Sequence, residues 1–259
     1  ADLNQALYGR NGEAPLPVIA ASTPGDCFYA AYEASRIALT YMTPVVLLTD
    51  GYLANGSEPW KIPNVKDLEP IDVKFAKSSK SEDDFLPYKR DDKTLSRPWA
   101  IPGTPGLEHR VGGLEKAENT GHVSYDPNNH QRMVELRQEK VNRIQNDIDK
   151  TEVFGDNKGD VLIISWGGTY GSCRSAAETL HEDGKSVSHV HLRWISPLPK
   201  DLGEIIIKFK NILIPEINMG QLIKLIRAEY LVDAKGLSQV TGKPISTTRI
   251  IENVNQLIG

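Results

Sequence analysis

The first segment whose residue types could do chemistry is LYGRNGE, residues 7–13, which places Arg10 and Glu13 beside two glycines. A guanidinium can bind a carboxylate through two parallel hydrogen bonds. We therefore predict that Arg10 and Glu13 contribute to substrate binding or to an interface. The alternative is a solvated turn.

The second such segment is GLEHRVGGLEK, residues 106–116, which places His109, Arg110 and Glu115 around a pair of glycines. Glycines permit close backbone approach, and a long loop can act as a lid that delivers charge to a neighbouring site. We predict a substrate-binding or lid role for His109, Arg110 and Glu115. The alternative is a structural spacer.

The stretch GGTYGS, residues 167–172, follows a predicted strand and opens a predicted helix. Its backbone N–H groups could hold an anion. However, it departs from the G-x-G-x-x-G pattern, and no well-placed acidic residue follows about 20 positions later. A tight strand-to-helix turn is therefore the favoured interpretation, and the cofactor-binding residues stay unknown.

Metal-binding and catalytic motifs are not found in the sequence. The six histidines show no metal-ligand spacing, and Cys27 and Cys173 are too few for a tetrahedral zinc or four-thiolate iron–sulfur site. We predict no metal site and no catalytic residue in this chain. His189 and His191 alternate within a strand and should share one face, in edge or supporting positions, and Cys27 should be a buried core thiol.

The elements that position these segments begin with a strand–helix–strand unit: a strand at 17–22, a helix at 24–42 and a strand at 45–49. Because two parallel strands leave most of their apolar surface wet, this unit should be the end of a larger domain. We assign residues 1–58 to it.

Residues 59–126 are predicted to form a connector, because seven of the sixteen prolines fall between positions 59 and 105. Trp60, Phe85, Trp99 and Ile101 should pin parts of it to a surface. Apolar residues at three- and four-residue steps then predict an amphipathic helix at about 128–148, within a linking region at 127–150.

Residues 151–259 alternate between predicted strands and helices, which indicates a small domain with a parallel, helix-covered sheet. The strands are predicted at 160–166, 186–192 and 211–216, and the helices at 173–183, 199–208, 220–232 and 247–258. The fold class is therefore α/β.

Composition excludes several classes of partner. The 259 residues carry a net charge of -4 and contain no long basic block, so nucleic acid is not an expected partner. The apolar stretches, such as PVVLL at 44–48, are far shorter than the roughly 20 residues that span a bilayer. We expect a cytoplasmic protein without a membrane segment.

Several quoted stretches, most of all GRNGE, DGYLANG with EPW, and HRVGGLEK, closely resemble the alpha subunit of 2-oxoglutarate:ferredoxin oxidoreductase, in the 2-oxoacid:acceptor oxidoreductase family. PEINMGQL at 215–222 and RAEYLVD at 227–233 add to the resemblance. It implies that residues 1–58 end a pyrimidine-binding domain of a thiamine enzyme. It also implies that residues 151–259 form a domain of transketolase C-terminal type.

The resemblance further implies oxidative decarboxylation of a 2-oxoacid on thiamine diphosphate, with an acyl-CoA as product and ferredoxin as electron acceptor. A beta subunit would hold the thiamine diphosphate, Mg2+ and the iron–sulfur cluster, and CoA would be a co-substrate. Family members also carry an upstream gamma-type domain, a YPITP motif and an Arg-Gly-Gly-Pro segment. We expect this chain to be the C-terminal portion of such a subunit, inactive alone.

Two alternatives stay open at this point. The chain could belong to another 2-oxoacid oxidoreductase or a transketolase-like enzyme. It could instead be a non-catalytic α/β module that serves assembly or binds a nucleotide. A neighbouring gene for a thiamine-binding partner with cluster cysteines would favour the first interpretation over the last.

Overall fold

The computed structural model describes residues 2–78 and 85–259, which form two β-sheets covered by helices. The smaller sheet has three strands in the order β2-β1-β6, and the larger has five in the order β3-β5-β4-β7-β8. In chain order the helices are α1 (Leu3–Tyr8), α2 (Asp26–Tyr41), α3 (Gly51–Asn55), α4 (Pro127–Arg143), α5 (Tyr170–Glu182), α6 (Leu202–Ile206), α7 (Leu222–Tyr230) and α8 (Thr247–Ile258). The strands are β1 (Val18–Ala20), β2 (Val46–Leu48), β3 (Val153–Phe154), β4 (Gly159–Trp166), β5 (Val187–Leu192), β6 (Trp194–Ser196), β7 (Phe209–Glu216) and β8 (Lys235–Ser238).

The predicted strand–helix–strand unit is confirmed, since β1 and β2 pair in parallel and α2 joins them. The helix begins at Asp26, two residues later than predicted, and the hydroxyl oxygen of Thr23 accepts a hydrogen bond from the Asp26 N–H at 3.1 Å. Ile37 and Tyr41 of α2 pack with Ile19 of β1 in one buried cluster.

In its described part, the connector holds one short 3-10 turn, Val65–Asp67, and isolated bridges between distant positions. Trp99 pins it as predicted, because its indole N–H donates to the Leu39 carbonyl oxygen at 2.8 Å. The prediction was wrong for Ile101, whose side chain is exposed. An isolated apolar residue in a proline-rich loop need not find a surface.

The linking helix α4 ends at Arg143 and continues as a 3-10 turn, Ile144–Asp147, so the α-helix is shorter than predicted. The carboxylate of Asp126 accepts the Asn128 N–H at 2.9 Å and caps its first turn. Met133 and Leu136 form its buried side near the connector.

The second sheet is parallel as predicted, apart from the short strand β3, which pairs antiparallel with β5. The two faces of β4 enter different hydrophobic clusters. Leu162 and Ile164 pack toward α6 and α7, whereas Val161 and Ile163 pack toward α5 and α8. This alternation is what a strand covered by helices on both faces requires.

A strand from residues 151–259, β6, completes the three-stranded sheet. β6 pairs antiparallel with β1, and Leu3 and Val18 share a buried cluster with Leu162 of β4. The core is therefore continuous between residues 1–58 and 151–259. The division of the chain into four parts stays a prediction.

Candidate functional site at the carboxyl ends of the strands

Asp50, at the carboxyl end of β2, joins the two sheets. Its Oδ1 accepts the Leu53 N–H at 2.9 Å and caps α3, and its Oδ2 accepts the Gly168 N–H at 2.8 Å. A side chain at Gly168 would collide with this carboxylate. The GGTYGS stretch is thus a tight turn whose Gly168 N–H already has an anionic partner from the same chain.

A cavity of about 570 Å³ lies where these strand ends meet. Its lining includes Asp50 and Tyr52 from residues 1–58, and Thr169, Ser172 and Lys243 from residues 151–259. Ligands of open α/β sheets bind in crevices outside the carboxyl ends of the strands. We refer to this cavity, together with the strand ends around it, as the carboxyl-end crevice.

Glu216 organises the neighbouring strand end. The residue is 1% exposed, and its carboxylate accepts four hydrogen bonds, from Trp166 Nε1 (3.2 Å), Asn218 Nδ2 (3.1 Å), the Leu222 N–H (2.8 Å) and the Ile223 N–H (3.1 Å). Four donors compensate the loss of water around a buried carboxylate. Sequence reasoning missed this residue, although it lies in the PEINMGQL stretch.

A second carboxylate, Asp26, fixes the first turn of α2. Its Oδ2 accepts both the N–H and the hydroxyl of Ser22 at 2.9 Å. Its Oδ1 forms an ion pair with Arg193, which follows β5. This contact again links the two sheets through a side chain at a strand end.

The EPW motif covers the N-terminus of α2. Glu58 Oε1 accepts the Thr23 hydroxyl at 2.7 Å and the Gly25 N–H at 2.5 Å. Trp60 lies 5.5 Å from Phe28, ring centroid to centroid, and both rings stay partly exposed. The motif thus leaves an aromatic surface beside the helix start.

Arg10 and Glu13 lie just beyond α1. The Arg10 guanidinium donates to the carbonyl oxygens of Ala6 at 2.5 Å, Leu7 at 3.1 Å and Ala14 at 2.8 Å. Glu13 is exposed. In this chain Arg10 holds the loop after α1, and a substrate role for either residue stays a prediction.

His109 and Arg110 lie in the connector loop. His109 Nδ1 contacts the Leu107 carbonyl oxygen at 2.7 Å, and its ring packs edge-on against Phe85. Arg110 is exposed and has no hydrogen-bond or ion-pair partner within residues 2–78 and 85–259. Its charge is available to a ligand.

The glycine pair after Arg110 forms a sharp turn. Gly112 and Gly113 have φ of +71° and +77°, a region that disfavours side chains. The buried Lys116 ammonium donates to the carbonyl oxygens of Gly112 at 2.5 Å and Leu114 at 2.6 Å. The loop therefore has a defined shape.

Glu115 anchors the loop to α4. Its Oε2 lies 2.7 Å from His130 Nδ1, and its Oε1 lies 3.8 Å from the Arg137 guanidinium. No contact within the described residues joins Arg10 or Glu13 to His109, Arg110 or Glu115. The structure therefore does not bring the two predicted segments together.

The two strand histidines share one face, as predicted. Ser165 Oγ lies 2.7 Å from both His189 Nε2 and His191 Nδ1. Burial lowers the pKa of each imidazole to about 3. They do not lie at a sheet edge, because β5 runs between β3 and β4.

The cysteines behave differently from each other. Burial raises the pKa of the Cys173 thiol to about 12. Cys27 is only half-buried, so its prediction as a buried core thiol was wrong; it lies in the first turn of α2, near the exposed Phe28. Within the described part of the chain, no three His, Cys, Asp or Glu side chains are placed to hold a metal ion.

Comparison with known families assigns the fold first. Residues 1–126 match the family described as "Pyruvate flavodoxin/ferredoxin oxidoreductase, thiamine diP-bdg". Residues 150–220 match the transketolase C-terminal domain. The chain is therefore of the α/β class in which a thiamine diphosphate-binding domain is combined with a transketolase C-terminal domain, as predicted.

The chain also resembles individual 2-oxoacid oxidoreductase subunits. The chain is 49% identical, over 93% of its length, to the 2-oxoglutarate oxidoreductase subunit KorA of Mycobacterium tuberculosis. It is 26% identical, over 98% of its length, to a 2-oxoglutarate synthase subunit KorA of Archaeoglobus fulgidus. It superposes along its whole length, with a TM-score of 0.91 and 30% identity, on a solved 2-oxoglutarate:ferredoxin oxidoreductase from Magnetococcus marinus. The resemblance to the alpha subunits of 2-oxoacid oxidoreductases is confirmed.

The chain spans 36% of the length of the M. tuberculosis relative and 45% of the solved chain. Within the described residues, no helix is both long enough and apolar enough to cross a membrane.

Proposed function

We propose that this chain is part of the alpha subunit of a thiamine diphosphate-dependent 2-oxoacid oxidoreductase. The reaction would convert 2-oxoglutarate and CoA to an acyl-CoA and CO2, and two electrons would pass to ferredoxin. The observation that carries the proposal is the full-length superposition on the Magnetococcus marinus enzyme, whose structure holds 2-oxoglutarate, coenzyme A and succinyl-CoA. The 49% identity to a 2-oxoglutarate oxidoreductase subunit supports the same substrate.

An iron–sulfur cluster takes four thiolates, and the whole sequence has two cysteines, so the cluster does not fit this chain. A magnesium ion on a diphosphate needs only one or two protein carboxylates beside the phosphate oxygens, and the family resemblance implies that the partner supplies them. The proposal therefore assigns the thiamine diphosphate with its Mg2+, and the cluster, mainly to a partner beta subunit.

Thiamine diphosphate, when bound, would supply the electron sink that decarboxylation of a 2-oxoacid needs. This chain's contribution is positioning. Asp50 and Glu216 fix the strand ends around the carboxyl-end crevice, and the exposed aromatic pair Phe28 and Trp60 offers a surface for the partner. The cytoplasmic location expected from the sequence is part of the proposal.

The site proposal concerns the loop at 106–116. Arg110 is exposed on a turn whose shape is fixed by Lys116 and whose end is tied to α4 by Glu115. A fixed loop with a free guanidinium suits recognition of a substrate carboxylate. We assign this role to Arg110, with His109 beside it. Arg10 serves mainly the fold.

The test is co-expression of the full-length subunit with a thiamine-binding beta partner, followed by a viologen reduction assay. The proposal expects reduction that requires both 2-oxoglutarate and CoA, with pyruvate a poorer substrate. Preference for pyruvate would support another 2-oxoacid oxidoreductase. Absence of CoA-dependent reduction with every 2-oxoacid tested, in a complex that binds thiamine diphosphate, would contradict the proposal and favour a non-catalytic assembly role.

A further inference from the structure

A cavity of about 590 Å³ lies in the connector beside the last turn of α2, outside the carboxyl-end crevice. Five cationic side chains line it: Lys74, Lys77, Lys89, Arg90 and Arg97. Asp72 and Asp91 are the two carboxylates in its lining. The cavity therefore carries an excess of positive charge, in a chain whose net charge is -4.

Asp91 offsets part of that charge, since Lys74 acts on its carboxylate electrostatically, but within the described residues it forms no ion pair. Its Oδ1 already accepts the Lys93 N–H at 2.9 Å, the Thr94 N–H at 2.8 Å and the Thr94 hydroxyl at 3.0 Å. These bonds build the turn at 91–94. Within residues 2–78 and 85–259, neither Asp91 nor Asp72 forms an ion pair with a lining cation.

The two arginines are incompletely satisfied. Arg90 donates one bond to the Leu95 carbonyl oxygen at 3.0 Å, but its buried Nε has no hydrogen-bond partner in the described chain. Arg97 lies over the Tyr88 ring and reaches the Pro87 carbonyl oxygen only at 3.4 Å. A buried guanidinium N–H without an acceptor costs free energy that an anionic ligand would recover.

Two further cations, Lys140 and Arg137, lie near these arginines. Lys140 of α4 is held by the Met42 carbonyl oxygen at 3.0 Å. Its pKa is lowered to about 8, first by burial and then by the charges of Arg90, Arg97 and Arg137. Arg137 itself is paired with Glu115. The repulsion among these groups decreases when an anion enters the cavity.

We propose that this cavity is a binding site for a small phosphate-bearing ligand, held by Arg90 and Arg97 with Lys74, Lys77 and Lys89 at its rim. Guanidinium groups bind phosphate through paired hydrogen bonds, and lysines add point charges. The volume is that of a small-molecule site, and Phe75, Phe85 and Trp99 supply apolar wall for the rest of the ligand. The assignment is independent of the proposed reaction.

The test is calorimetric titration of the chain, at low ionic strength, with inorganic pyrophosphate, ADP and CoA as separate probes. Saturable binding that weakens with added salt is expected for at least one probe. Equal affinities would show that phosphate alone is recognised, whereas tighter ADP or CoA would identify a nucleotide or a CoA ligand. Absence of saturable binding by all three at millimolar concentration would overturn the proposal.

Matched variants locate the site. Arg90→Gln should weaken binding by about tenfold or more, since it removes a charge-assisted contact. Lys93→Gln removes a nearby exposed charge that does not line the cavity and should leave the affinity unchanged. If both variants lose the same affinity for the probes, binding depends on the overall charge rather than on a specific site, and the proposal is contradicted.

Two further variants cover the remaining outcomes. If Arg90→Gln lowers the melting temperature, the exposed Lys89→Gln still tests the site, with an expected loss of affinity of about threefold.

Glu82, Asp83 and Asp84 are acidic and lie outside the described residues. If the probes bind only to the E82Q/D83N/D84N variant, the chain's own carboxylates neutralise the cavity, and the proposal of an external ligand is wrong.

Discussion

The carboxyl-end crevice and the connector use charged side chains in opposite ways. In the crevice, Asp50 accepts the N–H of Gly168, 118 residues later, and Glu216 accepts the N–H groups of Leu222 and Ile223 at the start of α7. In the connector, Arg110 is exposed and Arg90 keeps an unpartnered Nε. The crevice charges stabilise the fold, whereas Arg110 and the Arg90 Nε have no partner within the described residues, and we propose that these two connector charges serve ligands.

The largest expected effect concerns pH and the buried histidines. Burial lowers the pKa of His189 and His191 to about 3, so both stay neutral in the folded chain, while they bind protons near their ordinary pKa when unfolded. Stability is therefore complete above about pH 6.5 and is lost as the pH falls toward 3. Two such groups predict a loss of about 4 kcal/mol between pH 8 and pH 5 in denaturant titrations.

The H189Q/H191Q variant should show a smaller pH slope than the wild-type chain, whatever its stability at pH 7. His122→Gln, at an exposed position, is the control and should keep the slope. A wild-type chain equally stable at pH 7 and pH 5 would contradict the assignment of neutral buried imidazoles.

Removal of the Glu216 carboxylate should produce the next largest loss. Glu216→Ala leaves the N–H groups of Trp166, Leu222 and Ile223 without their acceptor in a buried setting, and we expect a loss of about 3 kcal/mol in the free energy of unfolding. Glu229→Ala, at the exposed end of α7, should change it by at most about 0.5 kcal/mol. If both variants lose the same free energy of unfolding, Glu216 does not stabilise the strand ends around the crevice.

Asp50→Ala tests the joint between the two sheets. It removes the cap of α3 and the acceptor of Gly168, and we expect a loss of about 1–2 kcal/mol in the free energy of unfolding, measured by chemical denaturation. Asp50→Asn keeps one acceptor oxygen and should lose less. If both variants are as stable as the wild-type chain, Asp50 is not a structural link and becomes a candidate ligand contact.

The Arg10→Ala variant tests whether Arg10 stabilises the fold or is available to a ligand. Because its guanidinium holds three carbonyl oxygens around the end of α1, we expect a loss of about 1 kcal/mol in thermal unfolding. The exposed neighbour supplies the control, since Glu13→Ala should have no measurable effect. An unchanged melting temperature for Arg10→Ala would restore the substrate-binding prediction for this residue.

The regular elements were predictable because their apolar spacing is local. β4, α5, β5 and α8 all follow their sequence patterns to within three residues at each end. β6 and β8 could not be found in this way: each has only three or four residues, and β6 exists because β1 lies next to it. Short strands gain their stability from pairing partners that are distant in sequence.

The candidate site shows the same division. The GGTYGS turn was predicted from its small residues, but its acceptor, Asp50, lies 118 residues earlier, and no spacing rule connects them. Glu216 looked like an ordinary strand residue, although an acidic side chain within an apolar strand is itself a signal of buried pairing. The segment at 106–116 could be singled out from the sequence because an α/β scaffold does not require a polar, glycine-flanked loop there.

Whether the loop at 106–116 acts on substrate rather than on the fold can be measured with Arg110→Ala in the full-length subunit assembled with its partner. Since Arg110 is exposed, the free energy of unfolding should change by at most about 0.5 kcal/mol. We expect Arg110→Ala to raise the KM for 2-oxoglutarate and to lower kcat/KM, with kcat reduced as well if positioning is lost. Unchanged kcat/KM, or a large drop in melting temperature with normal specific activity, would contradict this expectation.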